Sequence, residues 1–177
     1  MLRGVLRIAL LGGLAAWLAD RLLAHRTGPT PPALEMLVVV DAPIERTWDV
    51  LADIPRQPEW MADMKAVRMS TPEPTRAGSR GEAVVRILGI AVEDPVEVVE
   101  FDPPRRFAVR HEGTFKGGGV MDLEPGADGT TTIVRWAETL IAPALPHLAA
   151  AVGAPVLRRV FQDDLFRLKR LIESDVA

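Results

Sequence analysis

Residues Val38–Trp60, VVVDAPIERTWDVLADIPRQPEW, constrain the fold more tightly than any other stretch of this chain. An apolar strand runs into Asp41-Ala42-Pro43 and then into a short amphipathic helix, Ile44–Ala52. Asp53 and Pro55 break that helix, and a second short turn ends at Trp60. From Leu34 onward apolar residues recur with a period of two, which is the signature of half-buried strands. The pattern predicts strands at about 34–41, 65–71, 80–90, 92–101, 105–113, 117–125 and 130–140. Pro72-Glu73-Pro74 with Gly78, Asp102-Pro103-Pro104 and Gly126-Ala127-Asp128-Gly129 separate them as turns. Pro95, inside the fourth run, implies an edge or a bulge there.

Beyond Pro143 and Pro146 the period changes to 3.6. Leu157, Val160, Phe161, Leu165, Leu168 and Ile172 form one apolar stripe of a long helix. Pro155 either opens that helix or kinks a longer one that begins near His147. Arg158, Arg159, Asp163, Arg167 and Lys169 fall mostly off the stripe, so Leu165 and Leu168 should matter for stability and Arg167 should not.

Several of these segments together resemble the SRPBCC superfamily (START/birch-pollen-allergen-like, polyketide cyclase/dehydrase and lipid transport). The opening module is similar to that superfamily's strand followed by DAP.E..WDVLAD...PEW. Phe101-Asp102-Pro103-Pro104-Arg105-Arg106-Phe107 is similar to its turn between central strands, Leu123-Glu124-Pro125 before Gly129-Thr130 to its late hairpin, and Leu168-Lys169-Arg170-Leu171 to its closing helix. The resemblance covers roughly residues 34–173. It implies an α+β helix-grip fold: a seven-stranded antiparallel curved sheet wrapped around a long C-terminal helix and enclosing a cavity for apolar ligands. The fold hosts carriers, sensors and enzymes alike, so it does not name a chemistry.

The first 26 residues form a unit of a different kind. They carry four arginines against Asp20, a charge of +3, and the remaining 17 basic and 23 acidic side chains give −6. A domain of that sign is a poor partner for a phosphate backbone, so no nucleic-acid partner is expected. Ile8–Ala19 is a charge-free apolar run, shorter than the roughly 20 residues a helix needs to span a bilayer. Gly4–Ala24 reaches that length but includes Arg7, Asp20 and Arg21. Arg3, Arg7, Arg21 and His25 share a helical face, and long arginine stems can snorkel to the headgroups. Three readings follow: a single uncleaved anchor, an interfacial or domain-packed helix, and a cleaved signal peptide. The signal peptide lacks a small-x-small cleavage site, because Trp17-Leu18-Ala19 and Leu22-Leu23-Ala24 put bulky residues there. The anchor reading divides the chain into an N-terminal membrane-associated helix, 1–26, a Pro-rich linker, 27–33, and a ligand-binding domain, 34–177. Three prolines within Pro29-Thr30-Pro31-Pro32 favour an extended, stiff spacer. The expected location is therefore at a membrane, with neither side of it selected by the nearly balanced flanking charge.

Catalytic signatures are sparse. The chain has no cysteine, which excludes disulfides and thiolate chemistry. Gly78-Ser79-Arg80-Gly81 is not a nucleophile elbow. Three histidines, His25, His111 and His147, are scattered, so no metal is expected, and no cofactor. Gly113-Thr114-Phe115-Lys116-Gly117-Gly118-Gly119 lacks the Gly-Lys-Ser/Thr of a phosphate loop and reads as a flexible or bulged hairpin, with a mobile loop at a cavity mouth as its functional reading. Strand alternation places Phe107, Val109 and His111 on one face of their strand, opposite Ala108, Arg110 and Glu112. It likewise places Val134, Trp136 and Glu138 together, opposite Arg135.

His111 and Glu138 are thus polar groups on an apolar concave face. Burial of such groups is costly unless they pair with each other, with water or with a ligand. Arg86 and Asp94 are further inward candidates, but Pro95 leaves their register open. The candidate ligand-lining set is Trp60, Phe107, Val109, His111, Met121, Trp136, Glu138 and Phe161; Trp60 reads equally as core. The reading that follows is a binding module, holding a lipid, isoprenoid or polyketide-like molecule beside a membrane. Two alternatives stand beside it. One is a polyketide cyclase or dehydratase-like enzyme using His111 and Glu138 for proton transfer, which the lack of serine, histidine and metal chemistry disfavours. The other is a coenzyme Q-binding/toxin-like interaction module.

Overall fold

The computed structural model describes residues 2–87 and 90–174. Helix α1 (Leu2–Thr27) precedes strand β1 (Leu34–Val40), helix α2 (Ile44–Leu51) and a 3-10 turn (Ile54–Glu59). Strands β2 (Met64–Met69), β3 (Arg80–Ile87), β4 (Ile90–Asp102), β5 (Arg106–His111), β6 (Lys116–Pro125) and β7 (Thr132–Ile141) lead to helix α3 (Pro146–Ser174). One antiparallel sheet holds all seven strands in the order β1-β7-β6-β5-β4-β3-β2. β2 to β7 form a meander of hairpins, and α2 with the 3-10 turn carries the chain from one sheet edge to the other. This is the helix-grip architecture expected from the periodicity and the resemblance, and α3 starts at Pro146, so the longer helix containing Pro155 is the one realised.

Alternation in β1 is strict: Leu34, Met36, Val38 and Val40 are buried and the residues between them exposed. The outer edge of β1 would leave its backbone groups unpaired, a liability in any edge strand. Polar side chains of α3 take up that role. The Gln162 amide accepts from Leu37 N–H and donates to Leu37 C=O, Lys169 Nζ donates to Val39 C=O, and Glu173 Oε1 accepts from Asp41 N–H. The opposite side of α3 buries Leu165, Leu168 and Ile172 completely against the core. Edge-on aromatic pairs, Trp48–Phe101 at 5.3 Å and Phe101–Phe107 at 6.2 Å, extend the core beneath the sheet.

Pro95 marks neither a sheet edge nor the bulge. β4 lies between β3 and β5, and its irregularity falls between Val98 and Glu100. Pro95 sits one residue past Val96, where the β4–β5 ladder ends. Its carbonyl accepts from Glu112 N–H on that side, so the N–H that proline lacks costs one bond to Glu112, just beyond the end of the ladder, and none within it.

Arg167 also departs from expectation. Its guanidinium pairs with the buried Asp164, whose carboxylate also accepts from Ala62 N–H. The helix stripe cannot reveal this, because it depends on what the 3-10 turn brings against α3.

Helix α1 is held on the domain. Asp20, 8% exposed, accepts from the backbone N–H groups of His147 and Leu148 at 2.8 and 2.9 Å, capping the start of α3 from another helix. Thr27 Oγ1 lies 3.0 Å from His147 Nδ1, and Pro31 of the expected spacer is buried. Among the described residues no helix is long and apolar enough to cross a membrane. The transmembrane anchor expected from the sequence finds no support in this arrangement: Asp20, which would have to sit inside the span, is bound to α3. The side chains of Arg3 and Arg7, one end of the expected basic stripe, lie outside the described residues.

Truncating the buried stripe tests the packing. Leu165→Ala and Leu168→Ala should each destabilise by about 2–5 kcal/mol in denaturant titrations, whereas Arg159→Ala, at an exposed position, should stay within about 0.5 kcal/mol. Arg167→Ala should fall between them, because it leaves the buried Asp164 carboxylate with one fewer partner.

Candidate functional site

Between the concave face of the sheet and the N-terminal half of α3 lies a cavity of about 170 Å³. Its wall is apolar over most of its extent: Val67 on β2, Ala83 and Val85 on β3, Val92 and Val96 on β4, and Val156, Leu157 and Val160 on α3. Of the side chains selected from the sequence, Phe107, Val109, His111, Met121, Trp136, Glu138 and Phe161 line it. Trp60 does not. It is 1% exposed and packs edge-on behind Trp136, with ring centroids 6.3 Å apart, while Phe161 meets the same indole at 4.9 Å. Arg86 is exposed and away from the lining.

One wall carries a polar network. His111 Nε2 lies 3.0 Å from Glu138 Oε1, and Nδ1 lies 2.6 Å from Asp94 Oδ2. Trp136 Nε1–H donates to Glu138 Oε2 at 3.0 Å, and Gly113 N–H donates to Asp94 Oδ1. Burial by itself would depress the His111 pKa. The hydrogen bonds and charges of the two carboxylates outweigh it and push the value up to about 10, so at neutral pH the ring is an imidazolium between two carboxylates.

The sequence explains how Glu138 can reach. His111 is on β5 and Glu138 on β7, with β6 between them. Two strand spacings are about 10 Å, which a glutamate and a histidine span only if nothing projects from the middle strand. The residue of β6 opposite Glu138 is Gly119, and a Cβ there would strike Glu138 Oε2 and crowd Trp136 Nε1. Gly117, with φ of 119°, brings its α-carbon against the Thr139 carbonyl of β7, where a Cβ would collide. Gly117, Gly118 and Gly119 therefore lie within β6, as places where the sheet needs close approach. Only Gly113–Phe115 forms the turn, and Thr114 and Phe115 line the cavity.

Of the ionisable lining residues, sequence reasoning left Asp94 open and missed Asp63 and Asp164. Alternation along Val92, Asp94 and Val96 points all three inward, since the bulge of β4 falls after them; Pro95 obscured that signal. Asp164 falls next to Phe161, Leu165 and Leu168 on the helix, and burial raises its pKa against the opposing effects of Ala62 N–H and Arg167. Among the described residues no group of three or more His, Asp or Glu side chains is arranged to hold a metal ion.

Comparison with known proteins agrees with this geometry. Residues 32–173 match the family described as polyketide cyclase / dehydrase and lipid transport, and the chain belongs to that family. A protein from Thermus thermophilus is similar in fold at 19% identity, covering 82% of this chain and 100% of that one, with a TM-score of 0.67. The ZhuI aromatase/cyclase from a Streptomyces species shares 18% identity over 82% of this chain and 95% of its own, with a TM-score of 0.64. A START superfamily protein from Mycobacterium smegmatis shares 15% identity over 82% and 97%, with a TM-score of 0.62. These likenesses show the fold. A search of curated protein sequences finds no match.

The raised histidine pKa gives the network a pH signature. An imidazole whose folded pKa exceeds its unfolded value of about 6.5 stabilises fully below that pH and loses its contribution as pH rises through about 10. Thermal melts from pH 6 to 10.5 should show the wild type losing stability across this window and His111→Gln changing much less. Gly119→Ala, which pushes Glu138 away from His111, should lower the melting temperature and flatten the same profile.

Proposed function

We propose that this protein binds a hydrophobic small molecule, of lipid, isoprenoid or polyketide-like character, in the cavity between the sheet and α3. The observation that carries this reading is the lining itself: valines, methionines and aromatic rings from six strands and a helix around one internal space, with polar groups confined to a few points. A volume of about 170 Å³ is comparable with an apolar cavity of roughly 150 Å³ that takes a benzene. A single ring fits within; a longer ligand extends through the mouth, where Val156 is both half-exposed and part of the lining.

The polar network favours binding over proton transfer. A general base must be unprotonated at working pH, and a general acid works best with a pKa near it. His111, with a pKa of about 10 and both ring nitrogens engaged by carboxylates, meets neither condition. The family includes cyclases by its description, so the catalytic alternative keeps a definite test: turnover that disappears in His111→Ala while binding persists.

Filling the cavity tests the binding reading. Val160→Trp places an indole into the lining from α3 and should abolish binding of an uncharged naphthylamine dye, followed by fluorescence, while the melting temperature is kept or raised. Dye affinity equal to that of the wild type would count against an internal site.

The same reading places the protein beside a lipid surface. Helix α1 exposes Leu10, Leu11, Leu14, Trp17, Leu18 and Leu22, and Arg21 stacks over Trp17 at 5.5 Å. Large apolar side chains flanked by arginine suit a helix lying in the headgroup region. The full chain should sediment with vesicles of phosphatidylcholine and phosphatidylglycerol, and the Leu14→Glu/Leu18→Glu variant, altered only at exposed positions, should stay in the supernatant. Equal partitioning of the two would remove the membrane role.

A further inference from the structure

The charges around the cavity bear on the ligand's polar end, and the inference from them rests on the binding reading above. The ionisable lining residues are Asp63, Asp94, Glu138 and Asp164 with His111, and neither lysine nor arginine is among them. Arg167 neutralises Asp164 from outside the lining. The His111 imidazolium is shared between Asp94 and Glu138, so that network carries a net negative charge, and nothing in the wall offers a cation to an incoming anion. The histidine has no N–H left to donate, since both ring nitrogens face carboxylates. The Trp136 indole N–H is likewise committed.

Among the ionisable groups of the wall, spare hydrogen-bonding capacity is therefore acceptor capacity; the neutral lining side chains Gln57 and Thr114 add one amide and one hydroxyl. Glu138 is 4% exposed, and each of its oxygens receives one protein donor. A carboxylate offers about four acceptor sites, so roughly two remain. Filling them from water inside an apolar cavity is unfavourable compared with filling them from a ligand whose remaining surface is apolar.

We propose that the ligand is an uncharged apolar molecule bearing a hydroxyl group, which donates to the Glu138 carboxylate, and that carboxylate-bearing molecules such as fatty acids are rejected. Rejection is electrostatic, because a buried anion beside this network meets like charge with no counter-ion. Acceptance is directional, because a neutral hydroxyl can donate to a charged acceptor within the cavity.

A size-matched series of single-ring compounds separates the possibilities by calorimetric titration of the full chain at pH 7. Toluene, para-cresol and para-toluate have the same apolar body and differ in carrying no polar group, a hydroxyl or a carboxylate. Para-cresol should bind about tenfold more tightly than toluene, the scale of one hydrogen bond to a charged group, and para-toluate should bind at least tenfold more weakly than para-cresol. Glu138→Ala should erase the advantage of para-cresol over toluene while toluene still binds. The wild-type series stands by itself should that variant fold poorly. Equal affinity for toluene and para-cresol, or para-toluate binding as tightly as para-cresol, overturns the assignment and leaves an apolar cavity of different selectivity. No binding by any of the three overturns the binding reading, and this inference with it.

Discussion

An antiparallel sheet that buries one face needs a cover, and here one helix supplies most of it. α3 makes two kinds of contact along its length, and much of the molecule follows from the difference. Its C-terminal half packs without gaps, with Leu165, Leu168 and Ile172 fully buried and Gln162, Lys169 and Glu173 bound to the backbone around β1. Its N-terminal half stands off the sheet, and Val156, Leu157, Val160 and Phe161 face the cavity. Protein interiors are normally filled to crystal-like density, so a space of this kind is maintained only where the surrounding framework is braced. The tight half of α3 and the Asp20 cap at its other end provide that bracing.

The polar wall obeys a related rule. A largely enclosed histidine and two carboxylates are destabilising one at a time and acceptable as a set, because each satisfies its neighbour. The set exists only through geometry on three strands: Asp94 and His111 meet across the β4–β5 pair, and Glu138 joins from β7 over the bare backbone of Gly119. The glycines of β6 are thus part of the site although they contribute no chemistry. Their role also explains why a glycine-rich segment read as a hairpin continues, past its turn at Gly113–Phe115, as strand.

Helix α1 shows how a composition argument can be right about residues and incomplete about their use. A basic, apolar segment before a proline-rich stretch has the make-up of an anchor on a spacer. In the folded protein its one acid is the N-cap of another helix, and a proline of the spacer is buried. The apolar face that remains exposed is what supports an interfacial role.

Local physics was legible in the sequence. Period-two alternation from Leu34 to Ile141 and the 3.6 period after Pro146 determined the strands, their inward faces and the gripping helix, because side-chain direction follows from backbone geometry alone. That was enough to bring Phe107, Val109, His111, Met121, Trp136, Glu138 and Phe161 to one cavity wall. Trp60 was ambiguous for the same reason: beyond a strand or a helix, no period says which way a side chain turns. Tertiary structure alone decided the rest. Asp94 engages His111, Asp20 caps α3 and Gly119 clears the way for Glu138. Each of these depends on distances between residues 17 to 127 positions apart. Such contacts are settled by the packing of whole elements, which no local pattern encodes.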